Sequence, residues 1–345
     1  MKKIRNELSF TSVILMLLVI LIHVLSEPLS GYMKSSLPFA LASVLHRLSS
    51  FAVQGFIFLS GLKLFLNFKE KFSYVRFYVG RLKRVVLPYL IVYVIFFIYL
   101  SYRKFIVPSA SLFVNEFFAG GLVTHFYFVI IICQFYLLMP LWRLIYKKAS
   151  PVIVLPVSLV LMLMLKVYLP EIVKTVSGID FAYNARVFTT YLFYFVSGIY
   201  AAKYYDAFVT FLREHRAGIS ALFGVSGIIT AFASWSIESG FRWFSWADMF
   251  HVIYCFAAIL FLSSLALLLT DRLKPDGKAL DVMNAASYNV YLIHPLLIFI
   301  CDNMLDVSGI SSVTFRLIIR LLFTYVLSLA ICSLIEILKR KIRKT

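Results

Sequence analysis

His23 stands near the end of an apolar run from Leu8 to about Leu25, and Glu27 follows it by one helical turn. Residues at i and i+4 share a helix face. A carboxylate beside an imidazole raises its basicity and can fix its tautomer, which is what a general base needs. The bland alternative is a histidine bonded to a neighbouring helix. Ionisable groups inside apolar spans are costly and mark cavities, partners or reactions, so this pair is the first place to look for chemistry. His46, His125 and His251 also begin apolar segments, His125 within Thr124-His125-Phe126-Tyr127-Phe128. Taken singly, each is better read as an interfacial side chain.

A second cluster is basic. Arg76, Arg81, Lys83 and Arg84 precede Pro88-Tyr89. Arginine forks and lysine point charges suit a phosphorylated cofactor. The same residues also suit a cytoplasmic loop lying against anionic headgroups. Ser60-Gly61 closes the segment Phe56-Ile57-Phe58-Leu59-Ser60-Gly61, and Ser197-Gly198 resembles it. Small residues there let helices pack closely or let a ligand chain approach. In His294-Pro295 the proline frees a backbone carbonyl that a polar side chain nearby can satisfy.

The elements that must position these residues are membrane helices. Of 345 residues, 62% are apolar and 14% charged, with 34 Phe and 21 Tyr. Soluble domains carry roughly 25% charged residues. Ten segments are apolar enough to span a bilayer, at about 8–27, 48–66, 85–102, 124–144, 152–169, 186–204, 217–235, 248–269, 285–302 and 315–337. The opening basic residues and first apolar run resemble a signal peptide, but no small-residue cleavage pattern follows. The net charge of +18 gathers in loops that alternate with the others, which predicts both termini in the cytoplasm. It therefore speaks of membrane lipid rather than nucleic acid, for which the sequence has no binding motif. Cys133, Cys255, Cys301 and Cys332 show no metal-ligand spacing, so neither disulfide nor metal is expected. Walker A, GxGxxG, HExxH and GxSxG signatures are absent from the sequence. The reading is an all-α polytopic bundle of about ten spans, one domain over 1–345, multi-pass in the cell membrane.

Several of these segments, in order, resemble the acyltransferase-3 family of integral membrane acyltransferases. They are the first span ending in His23, Phe56–Gly61, Arg81–Tyr89, His125-Phe126-Tyr127-Phe128 with Pro140 beyond, Tyr194–Gly198 and Tyr291–Pro295. Within that family the chain looks most like proteins of intercellular-adhesion polysaccharide systems, described both as exporters and as O-acylating enzymes. The resemblance implies transfer of an acetyl or succinyl group from cytoplasmic acyl-CoA to a hydroxyl of an extracytoplasmic polysaccharide or lipid-linked glycan. It implies His23 as base or acyl acceptor, with Glu27 beside it and His125 placing the substrate or acyl group. It puts acyl-CoA near Arg81, Lys83 and Arg84; Ser60 and Gly61 join that site as the small residues a ligand chain can approach. A glycan synthase or export component fits as protein partner. The alternative is a non-catalytic export or assembly protein on the same scaffold. One position departs from the family pattern: the arginine usual eleven residues before the histidine is Ser12 here. That is about 16 Å along a helix, and a serine supplies neither fixed charge nor a fork of donors.

Overall fold

The apolar runs form helices because nothing else closes every backbone hydrogen bond within a single segment in a bilayer. The computed structural model describes residues 5–178, 180–240, 246–247, 249–273 and 277–342, without the side chain of Glu27. Among the described residues there is no strand. Eight helices there are long and apolar enough to cross a membrane. They are α1 (Asn6–Gly31), the nearly continuous α2 (Leu37–Ser49) and α3 (Phe51–Phe65), and α4 (Tyr74–Arg81) running on into α5 (Leu87–Tyr102). Beyond α6 (Ala110–Ala119), α7 (Tyr127–Leu137) and α8 (Met139–Lys148) comes the long α9 (Pro151–Ser177). After α10 (Leu192–Lys203) and α11 (Tyr205–Glu214), the remaining four are α12 (Arg216–Glu238), α13 (His251–Leu273), α14 (Gly277–Val307) and α15 (Val313–Ile342). The pair Ala110–Ala119 and Thr124–Leu137, bent by 52°, is a broken span or a re-entrant loop, and makes a ninth crossing if it is one span.

The tenth expected span, 186–204, is too short. Asn184–Arg186 and Phe188–Tyr191 wind as 3-10 turns, so α10 begins only at Leu192 and has 12 residues. At about 1.5 Å per residue that is about 18 Å, against the roughly 30 Å of a hydrocarbon core. Gln134 holds those turns, donating to the Arg186 carbonyl at 2.9 Å and accepting from the Phe188 amide at 2.8 Å. The segment around 285–302 is instead one unbroken helix, with Pro295 inside it.

The chain divides into two compact units, residues 1–56 with 206–345 and residues 57–205. In the first, α1 packs against α14 and α15. Val13, Met16, Ile20 and Val24 meet Val290, Ile298 and Cys332 in a buried core. The Tyr325 hydroxyl donates to the Leu17 carbonyl at 2.7 Å. Ion pairs join α14 to α15 at both ends: Arg340 with Asp281 at 2.9 Å, and the buried Arg320 with Asp302.

In the second unit, α10 is buried from Tyr194 to Ala202 and crosses α3 with a glycine of each helix against the other's backbone. A Cβ on Gly61 would run into the Phe195 carbonyl, and one on Gly198 into the Phe58 carbonyl. The two Ser-Gly segments of the sequence are therefore the two sides of one close helix crossing. The bend between α6 and α7 turns on Gly120, at φ 62°, where the absence of a Cβ removes the left-handed penalty. Arg186 braces it by donating to the Ala119 carbonyl at 2.8 Å.

Candidate active site

His23 lies on α1 in the first unit, half-buried, with its ring centroid 5.1 Å from that of His294 on α14. The two helices pack against each other. His294 is fully buried. Its Nδ1 lies 2.8 Å from the Tyr291 carbonyl and 3.2 Å from that of Val290. Carbonyls only accept, so Nδ1 carries the hydrogen and Nε2 of the neutral ring carries the lone pair. The Tyr291 carbonyl needs this donor because Pro295, four residues on, has no N–H to give it. The His-Pro dipeptide thus fixes the tautomer of an imidazole that faces His23.

His46, on α2, belongs to the same unit. His251 opens α13, its Nε2 3.1 Å from the Ser50 hydroxyl and 3.3 Å from the Cys255 sulfur. Ser12 is buried on α1, 3% exposed. Glu27, the expected neighbour of His23, lies outside the described side chains. His125 is in the second unit, in the 3-10 turn Thr124–Phe126, 1% exposed between Phe96 and Phe126 with centroids 5.8 and 4.3 Å away.

The basic cluster forms a pocket in the second unit. Its volume is about 360 Å³, and Lys69, Lys71, Arg76, Arg81 and Arg84 line it with Phe72 and Phe77. Arg76, Gly80 and Arg84 fall on successive turns of α4 and its continuation, and a Cβ at Gly80 would meet nothing within 4 Å. Leu82–Val86 form a π turn, in which the Leu87 amide reaches back to the Leu82 carbonyl. Pro88 cannot donate to the Arg84 carbonyl, and a wider turn accommodates the gap. Arg81 is held over the rings of Phe77 and Tyr136, 5.0 and 4.8 Å from their centroids. Of the residues expected at a donor site, Arg81 and Arg84 line this pocket; Lys83, Ser60 and Gly61 are not among its lining residues. Gly61 serves the helix crossing described above. Among the described residues no group of His, Cys, Asp or Glu side chains is arranged to hold a metal.

Comparison with known proteins decides the family. The acyltransferase-3 model, described as an acyltransferase domain, matches residues 11–337. The chain belongs to the acyltransferase-3 family. Its relatives include the "Probable poly-beta-1,6-N-acetyl-D-glucosamine export protein" of Staphylococcus aureus strain N315, 23% identical over 339 residues, covering 96% of this chain and 92% of that one. The "Putative membrane-bound acyltransferase YfiQ" of Bacillus subtilis strain 168 is 25% identical over 287 residues, covering 80% and 76%. No solved structure matches. This acyltransferase-3 chain is therefore a multi-pass membrane protein. The family match spans the His23–His294 pair of the first unit and the whole basic pocket of the second.

Two features of the site were missed in the sequence. The sequence marks His294 as a side chain that satisfies a freed carbonyl or uses a local kink, but not as the partner of His23, which it meets because the two stand at equal offsets along two packed helices. Lys69 and Lys71 carried no signal, because a loop lysine near a span end looks like any headgroup anchor.

Proposed function

We propose that this protein is a membrane O-acyltransferase that moves an acetyl or succinyl group from acyl-CoA to a hydroxyl of a polysaccharide or lipid-linked glycan across the membrane. The observation that carries the reading is the His23–His294 pair, two imidazoles with centroids 5.1 Å apart in an apolar bundle, one with its tautomer fixed. His23 takes the proton of the acceptor hydroxyl as its oxygen attacks the thioester carbonyl. The C–O bond forms, the C–S bond breaks, and the proton passes to the leaving CoA thiolate. His294, a neutral imidazole beside it, stabilises the imidazolium that His23 becomes. Glu27 orients His23, and His125 positions the acyl group or the acceptor. The phosphates of the donor sit against Arg81 and Arg84 on the cytoplasmic face, with Lys83 beside them; Ser60-Gly61 supports that region by close packing.

A second reading is favoured by the name of the staphylococcal relative: an export component without catalysis, in which Ser12 records the loss of a donor-side cation. Acyl-CoA binding separates the two. Purified protein in nanodiscs is titrated with acetyl-CoA and succinyl-CoA, beside the Arg81→Ala/Arg84→Ala variant. Saturable binding that the variant loses supports the transferase. A folded wild type that binds neither donor removes it.

A further inference from the structure

The pocket on α4 carries more charge than a single phosphate would need. Lys69, Lys71, Arg76, Arg81 and Arg84 line one cavity of about 360 Å³, and no carboxylate lines it. The carboxylate nearest in sequence, Glu70, is turned onto Lys147 at 2.5 Å. Five like charges facing one space repel one another until several negative charges fill it. The cations also stand on two separate walls. The three arginines ride on α4 and its continuation; the two lysines come from the loop before it.

The lysine wall is built. Arg143 on α8 is 7% exposed, and its Nη2 donates to the carbonyls of Lys69 at 2.9 Å and Glu70 at 3.2 Å. Its guanidinium lies over the rings of Phe68 and Phe72, 4.5 and 4.2 Å from their centroids. Phe68 in turn stacks on Tyr146 at 4.3 Å. On the other side Ser73 caps α4 by accepting from the Arg76 amide at 3.3 Å. A loop pinned at both ends by a buried arginine and a helix cap presents its lysines at fixed places, which headgroup anchoring does not require.

We infer that this pocket reads the number of phosphates on the donor: the arginine wall takes the diphosphate, and Lys69 and Lys71, positioned by Arg143, take a second phosphate on the ribose. Arginine forks match the paired oxygens of a diphosphate, and lysine point charges suit a monoester. The ring surfaces of Phe72 and Phe77 serve a nucleobase, which neither phosphate needs. The ligand class is a nucleotide with a diphosphate and a separate ribose phosphate, as coenzyme A has and dephospho-coenzyme A lacks. Arg143 is a positioning residue. The inference rests on the acyl-CoA reading above and narrows it.

The test compares binding of coenzyme A and dephospho-coenzyme A to full-length protein in zwitterionic nanodiscs. Wild type should prefer coenzyme A by about tenfold, which is about 1.4 kcal/mol. Lys69→Ala/Lys71→Ala should bring the two ligands within about twofold of each other while dephospho-coenzyme A binds as before. Arg143→Lys, which keeps the charge but loses the planar fork, should lose the same preference. Should that buried substitution unfold the protein, the exposed lysine pair still decides. Equal binding of the two ligands by wild type, or a preference that survives Lys69→Ala/Lys71→Ala, overturns the inference and leaves the donor reading standing. Binding of neither ligand removes the donor reading itself. Repeating the titration in nanodiscs with anionic lipid identifies the other source of phosphate: if the preference vanishes there, the lysine wall belongs to lipid headgroups and the inference fails.

Discussion

Substituting alanine at Gly61 or Gly198 probes the crossing that explains both Ser-Gly segments. The added Cβ at Gly61 lands on the Phe195 carbonyl and stands 3.3 Å from the Ile199 amide nitrogen. At Gly198 it lands on the Phe58 carbonyl and stands 2.9 Å from the Leu62 amide nitrogen. These obstacles are helix backbone, which cannot rotate away as a side chain does, so the helices must separate. Overpacking of this kind costs about 1–3 kcal/mol. For a unit of this size that is a fall of about 3–10 °C in the apparent unfolding midpoint. Each crossing glycine faces the backbone beside the other, so separation forced by one alanine makes room for the second. The double variant should therefore lose less than the sum of the singles. The assay is thermal unfolding of the four proteins in one detergent, followed by acyl-CoA titration below the midpoint. Single substitutions that leave the midpoint within about 1 °C would refute the crossing. So would unchanged stability with selective loss of donor binding, which would make the segment a ligand contact.

Other consequences concern stability and order. Arg320→Met should destabilise the protein by about 1–3 kcal/mol, because it leaves Asp302 with only the more distant Arg316, 4.0 Å away; Asp302→Leu added to it should restore most of that loss. Thermal unfolding of the single and double variants checks it, and a double variant no better than the single refutes it. Gln134→Ala removes both partners from the 3-10 turns before α10, costing about 1–3 kcal/mol for two part-buried hydrogen bonds. Hydrogen exchange should show faster labelling at Phe188 in that variant, with α12 to α15 unchanged. Arg143→Ala should speed exchange across residues 66–73 relative to wild type, since the loop loses its only buried guanidinium brace among the contacts described.

The helical, membrane-spanning class was legible because apolar runs of about 20 residues are long signals. The span that failed shows the limit. The run at 186–204 is apolar enough, but its first residues are drawn into 3-10 turns by Gln134, some fifty positions earlier. No local pattern announces that bond. His23 was legible as an ionisable group in an apolar run, and the basic cluster as unusual charge at a span end. Which neighbour His23 meets was not, because that depends on the register between α1 and α14. The proline in His294-Pro295 did signal a freed carbonyl, and the histidine beside it is the group that satisfies it. Arg143 reads in sequence as one more cation at a helix end; only burial under Phe68 and Phe72 sets it apart.

The most direct measurement is transfer of a labelled acyl group from acyl-CoA to surface glycan by purified wild type, His23→Ala and His294→Ala in nanodiscs, with donor binding measured on the same samples. His23→Ala should lose about 10²–10⁴-fold in transfer rate while binding donor normally, as removal of a general base should. His294→Ala should lose less, because it removes the partner but not the base. Transfer by His23→Ala at the wild-type rate would contradict the assignment of His23 as that base.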